Sequence, residues 1–245
     1  MGLLEGLLDL VLPQVCAGCG TVPGLLCGRC RERLRGPVRP AWPSPAPQGL
    51  PTPYAAAAYD GAVRSMIVAH KESGRMGLAR PLGAALALSV LSAAEDPAHD
   101  PRRSVEGGSG AARGRTPVRE VLLVPVPSAR AAVRARGHDP ALRITISAIR
   151  ELRVRHVRAR CINELAQTRG VADQAGLTSA ERLANLAGAL SVPRPAAVRG
   201  RRVVIVDDVI TTGATLVEAA RALRVAGAEV LAVAVVAATA RRSGG

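Results

Sequence analysis

Val203-Val204-Ile205-Val206-Asp207-Asp208-Val209-Ile210-Thr211-Thr212-Gly213-Ala214-Thr215-Leu216 is the stretch on which the fold turns. The β-branched run 203–206 predicts a strand buried on both faces, as central parallel strands are. Two acids end it, and a turn of small and hydroxyl-bearing residues follows. Residues 215–225 predict a helix, with Leu216, Ala219, Ala220 and Leu223 on one face and Gly227 as its stop. The wholly apolar 230–238 reads as the next buried strand, with Glu229 in the turn before it. Strand, loop, helix and strand in this order form a βαβ unit. The class is therefore α/β, with a parallel central sheet flanked by helices.

The turn carries chemistry of its own. A helix start leaves backbone N–H groups free, and its dipole favours an anion there. Thr211, Thr212 and Thr215 add hydroxyl donors, and Gly213 lets the backbone approach a phosphate closely. Val209, Ile210 and Ala214 complete the loop. In open α/β sheets ligands bind beyond the carboxyl ends of the strands. Asp207 and Asp208 would repel a bare phosphate. They suit a ligand that also carries hydroxyls or a metal, since carboxylates accept hydrogen bonds from a sugar diol and can sit beside Mg²⁺. The plain alternative is a capped strand–turn–helix without a ligand. A receiver-type acidic pair lacks the Thr-Thr-Gly-Ala-Thr turn, and the Gly-Lys-Ser/Thr of a P-loop is missing.

Upstream, residues 54–59 and 121–126 read as strands, and 156–161 as a third. Residues 62–69, 82–91 (with Pro81 at its start), 141–152 and 181–190 read as helices. Residues 95–117 are rich in Pro, Gly, Ser, Asp and Arg without a hydrophobic period, and are expected to be a disordered insertion. No internal repeat is found.

Cys16, Cys19, Cys27 and Cys30 form two C-x-x-C knuckles, with Gly18, Gly20 and Gly28 giving the backbone room to turn. Four thiolates suit a closed, structural, tetrahedral Zn²⁺ site. Disulfides, a redox pair or an iron–sulfur cluster share the spacing. Cys161 stands apart and reads as a small buried hydrophobe. A Pro-rich stretch, 37–53, follows as an extended linker. The expected organisation is an N-terminal helix and zinc module over 1–50, then an α/β domain over 51–245.

Across its 245 residues the chain has a formal net charge of +14. Two explanations compete: a nucleic-acid surface, or the arginine preference of a GC-rich genome. Arg29, Arg31, Arg33 and Arg35 crowd the end of the cysteine module, where they could track a phosphate backbone. Phe is absent and aromatics are 1%, so stacking on bases should contribute little. Lys71 is the only lysine, which suggests that a compact ammonium is wanted there, within reach of a ligand phosphate. No apolar run reaches the roughly 20 residues of a membrane span. Residues 1–12 are leucine-rich but short, with Glu5 and Asp9 and no basic start. A cytoplasmic protein without membrane insertion is expected.

The acidic loop resembles the 5-phosphoribosyl 1-diphosphate (PRPP) motif of type I phosphoribosyltransferases. Most of the chain resembles the ComF family, associated with competence and DNA uptake. That resemblance rests on the two cysteine knuckles, Tyr59-Asp60-Gly61, Lys71, Val124-Pro125-Val126-Pro127, Arg136-Gly137, Gln174 and Glu181-Arg182-x-x-Asn185. After Arg136-Gly137 the chain has His138 and Asp139, where the family often has an aromatic residue and Asn. The resemblance implies that Asp207 and Asp208 contact the ribose hydroxyls as the catalytic pair. It implies that Thr211, Thr212, Gly213, Ala214 and Thr215 hold the 5′-phosphate, while Arg130, Arg134 and Arg136 neutralise the diphosphate with Mg²⁺. The implied role is an accessory factor handling single-stranded DNA with the uptake machinery. The alternative is an active pentosyl transferase of nucleotide salvage or synthesis.

Overall fold

The computed structural model describes residues 15–99, 120–169 and 179–239. The expected N-terminal helix, most of the 95–117 insertion and Gln174 lie outside these residues. In chain order the elements are α1 (Gly28–Glu32), β1 (Arg39–Pro40), β2 (Pro53–Ala58), α2 (Gly61–Glu72), α3 (Ala79–Glu95), β3 (Val121–Pro125), α4 (Arg130–Arg136), α5 (Pro140–Val154), β4 (Ala159–Cys161), β5 (Ala166–Gln167), α6 (Ser179–Leu186), β6 (Leu190–Ser191), β7 (Arg202–Ile210), α7 (Ala214–Val225) and β8 (Glu229–Ala238).

Six strands form one sheet in the order β1-β2-β8-β7-β3-β4. All pairs are parallel except the edge pair β1–β2. β5 and β6 make a separate antiparallel pair. The two-residue period of β7 sorts its side chains. Val203 and Ile205 pack in the layer of α7, with Leu216, Ala219, Ala220 and Leu223. Val204 and Val206 pack in the opposite layer, with Met66, Leu86, Ile144 and Leu152 of α2, α3 and α5. Without Phe, both layers are built mostly from Val, Leu, Ile and Ala, so the backbones must come close. Gly83 shows how close: a β-carbon there would stand 2.5 Å from Ser147 Cβ and 2.8 Å from Ala148 N, where α3 crosses α5.

Several boundaries differ from the expected ones for identifiable reasons. α3 extends to Glu95, and a 3₁₀ turn at Pro97–His99 follows, so the insertion read from 95 begins with ordered residues. The helical stretch Met76–Glu95 is long and apolar enough for a membrane by composition. It is a core helix here, with Leu82, Leu86, Ala87 and Val90 buried and Ser89 Oγ–H donating to Val235 O at 2.8 Å. The helix read over 181–190 ends at Leu186, and Leu190 joins β6 instead. Buried Glu218 accepts the Leu190 N–H (3.0 Å), and Arg221, bonded to Glu218, donates to the Leu190 carbonyl (3.0 Å). Glu229 is the first residue of β8, ion-paired with Arg202, rather than a turn residue.

The Pro-rich stretch is anchored at intervals, with Pro43, Leu50, Pro51 and Pro53 buried and the residues between them largely exposed. Arg39 and Pro40 pair with Ala55 and Tyr54 as β1, and Leu50 enters the α7-side core.

Candidate functional site

β3 and β7 end side by side, with Pro125 in register with Val206 and Val126 N–H donating to Val206 O at 3.0 Å. Beyond that point the chains part. After β7 the chain enters α7 on one face of the sheet, and after β3 it reaches α5 on the other. Such a divergence opens a crevice at the carboxyl edge of a parallel sheet. A cleft of about 340 Å³ lies there. Asp207, Asp208, Lys71, Ser128, Thr211 and Thr215 supply its polar lining. Tyr59, Ile67, Val68, Val126, Pro127, Pro140, Ala141 and Val209 supply the apolar part.

β7 runs through the acid pair to Ile210, so the acids are held by the ladder, Asp207 opposite Val235. By the strand period Asp208 shares the face of Val204 and Val206, which α2 covers. There Lys71, in the last turn of α2, brings Nζ to 3.6 Å from Asp208 Oδ2. Asp208 holds the Lys71 ammonium above its ordinary pKa against the opposing effect of burial. Asp207 Oδ1 accepts the Asp208 N–H at 2.8 Å. Burial first, and the Asp208 charge second, raise the Asp207 carboxyl well above the usual carboxylate range.

Gly213 is the N-cap of α7, at φ 78° and ψ 0°. This left-handed conformation suits glycine. With no side chain at the cap, the first-turn N–H groups of the 12-residue helix are left to a ligand, apart from a long 3.5 Å contact between Ala214 N and Thr212 Oγ1. Thr211 and Thr215 line the cleft, whereas Ile210 and Ala214 are buried and bring only backbone to the loop.

Arg136 is placed differently from the loop residues. Its Nη1 lies 3.1 Å from Glu72 Oε1, and it does not line the cleft. Gly137, at φ 74°, ends α4. His138 is buried against buried His70, ring centroids 5.7 Å apart. Burial holds His70 below its ordinary pKa, and neither of its ring nitrogens has a well-aligned partner among the described residues. Asp139 caps α5 by accepting Leu142 N–H (3.2 Å) and also accepts Ser128 N–H (3.2 Å). α4 begins at Arg130, which places that residue after the turn that lines the cleft. The apolar lining from α2 and α5 was not legible beforehand: Ile67, Val68, Pro140 and Ala141 look like ordinary helix residues until the sheet brings them together.

The four knuckle sulfurs lie within 4.8 Å of one another. Cys19 and Cys27 Sγ are 3.9 Å apart, close to the edge of a tetrahedron with 2.3 Å arms, about 3.8 Å. Burial would raise the Cys16 thiol, but N–H groups of Cys27, Cys19 and Gly18 bring it down to about 6. Burial and the neighbouring thiols push Cys30 up to about 12. All five cysteines are free, so the knuckles are not disulfides in this structure. The set fits a single thiophilic ion such as Zn²⁺, which would ionise all four thiols. Cys161 is half-buried, and burial raises its thiol to about 11, in keeping with a packing role.

Comparison with known proteins finds partial matches. A stretch of 39 residues is 64% identical to adenine phosphoribosyltransferase of Mycobacterium avium (strain 104), and the same holds for that of Mycolicibacterium paratuberculosis (strain ATCC BAA-968 / K-10). The matches cover 16% of this chain and 22% of each relative, so the chain spans about a fifth of the curated proteins it matches. Residues 148–244, which include β7, the acidic loop, α7 and β8, match the phosphoribosyl transferase domain model, and the chain therefore carries a phosphoribosyl transferase domain.

Proposed function

We propose that the cleft binds PRPP or a closely related sugar phosphate. One observation carries this reading: an acid pair and an uncapped helix N-terminus open onto one cleft, with a lysine beside the acids. A simple phosphate site has no use for two carboxylates. A phosphorylated sugar has use for both groups, its hydroxyls donating to Asp207 and Asp208 and its phosphate accepting from the loop 211–215. Lys71 is the nearest cation for a diphosphate. Mg²⁺, when bound with the ligand, would neutralise diphosphate charge, and Asp207 and Asp208 are the carboxylates available to hold it.

Within this reading the role we favour is ComF-like: a cytoplasmic accessory protein in competence that couples phosphosugar binding to the handling of incoming single-stranded DNA. The cysteine module supports it. Arg31 and Arg35 line a second cleft of about 710 Å³ with Arg80, and none of the three is ion-paired among the described residues. The second reading is an active phosphoribosyltransferase, favoured by the segment shared with adenine phosphoribosyltransferases. There a nitrogen of the base would displace diphosphate from C1 of the ribose, with the two carboxylates stabilising the positive charge that develops on the sugar.

Calorimetric titration of PRPP with Mg²⁺ tests the shared core of both. The wild type should bind, and the Asp207→Asn/Asp208→Asn variant should not. A folded, metal-loaded wild type that binds no PRPP overturns the reading. Diphosphate release in the presence of adenine would select the enzyme. Single-stranded DNA binding that weakens steeply with salt would select the accessory role.

A further inference from the structure

The Pro-rich stretch between the cysteine module and the sheet touches the phosphate loop itself. Measured from where a β-carbon on Gly213 would stand, Leu50 Cδ2 is 3.2 Å away, Pro47 Cγ 3.3 Å and Pro43 Cγ 3.5 Å. These side chains come from more than 160 positions earlier in the chain. None of them lines the acid-pair cleft. They close on the turn at the residue whose left-handed backbone starts α7.

The segment is itself held in place. Pro43 and Leu50 are buried, Leu50 in the same core as Ile210 and Leu216 on either side of the loop. Arg224 of α7 donates from Nη1 to Gly49 O at 3.0 Å, and Ala41 N–H donates to Pro53 O at 2.7 Å. The prolines restrict φ, so the stretch resists giving way under the loop.

We infer that Pro43, Pro47 and Leu50 are positioning residues for the 5′-phosphate subsite. Acting through Gly213, they hold the N–H groups at the start of α7 at a fixed spacing. The inference rests on the phosphosugar reading above. It explains why a stretch with the composition of a spacer buries Pro43 and Leu50, and it assigns part of the ligand site to the N-terminal 50 residues. Each hydrogen bond to a charged phosphate that a displaced donor array fails to make weakens binding by about tenfold or more, so a softened seat should weaken phosphate binding without emptying the cleft.

The test uses the full chain and three probes: PRPP with Mg²⁺, ribose 5-phosphate and inorganic diphosphate. Leu50→Ala and Pro47→Gly should weaken PRPP and ribose 5-phosphate by about tenfold or more, while diphosphate, assigned in this reading to the Lys71 side of the cleft, keeps its affinity. Leu50→Met, which refills the contact, should restore phosphosugar binding. Equal losses for all three probes would mean that the substitutions merely loosen the fold, and the inference falls. Unchanged ribose 5-phosphate affinity in folded Leu50→Ala and Pro47→Gly also overturns it. If the wild type binds no phosphosugar, the parent reading fails first, and this inference with it.

Discussion

Two neighbouring carboxylates and one ammonium set the electrostatics of the cleft. An Asp in an unfolded chain ionises near about 3.9. Asp207 ionises at higher pH in the fold, because of burial and then Asp208. Between those two values the native state holds the extra proton, so stability falls as pH rises through the window. Asp207→Asn removes that penalty. In scanning calorimetry its unfolding midpoint at pH 7 should lie about 2–4 °C above the wild type, and the two should converge near pH 4. A variant that is no more stable at pH 7 contradicts the assignment. A second residue-level prediction concerns Arg136, now engaged by Glu72 at 3.1 Å. If Glu72 competes with diphosphate for this guanidinium, Glu72→Gln should tighten PRPP binding by up to about fivefold, the worth of a surface ion pair. The gain should vanish in an Arg136→Gln background, as a double-mutant cycle of binding affinities would show.

Elements were legible where their pattern was local. The run 203–206, the turn 211–215 and the apolar 230–238 each announce themselves over a few residues, and β7, α7 and β8 follow them. The acid pair and Thr211 and Thr215 were found in the same way. What was not legible depends on partners far away in the chain. Nothing in Arg136 says that Glu72 will reach it first. Nothing in Pro43 or Leu50 points to a turn at Gly213. Helix α3 was cut short because residues 92–95 have no distinctive period, whereas the sheet and α5 cover that helix in the fold. The α3–α5 crossing offers an element-level check. Gly83→Ala forces a methyl to 2.5 Å from Ser147 Cβ. Urea unfolding should register a loss of about 1–3 kcal/mol, as overpacking costs elsewhere. A neutral result would mean that the helices can part without penalty.

At the scale of the molecule, the cysteine module and the α/β domain share one interior. Cys16, Cys30 and Leu34 belong to the core that also holds Ala56, Leu82, Val204 and Val236. Loss of a bound ion should therefore not stay local. Elemental analysis should find about one zinc per chain, as a single four-thiolate site holds. A strong chelator, or Cys16→Ser, should lower the unfolding temperature of the whole protein, and one undisturbed transition in the chelated protein would contradict the shared core. The placement of Lys71 has another consequence. It is the only lysine in 245 residues, and it sits in the cleft 3.6 Å from Asp208. Reductive methylation with a ¹³C label would thus mark the cleft at a single side chain, leaving only the α-amino group as background. The protein carries its own spectroscopic reporter: one methyl resonance whose shift and apparent pKa would record ligand arrival and metal entry without any mutation.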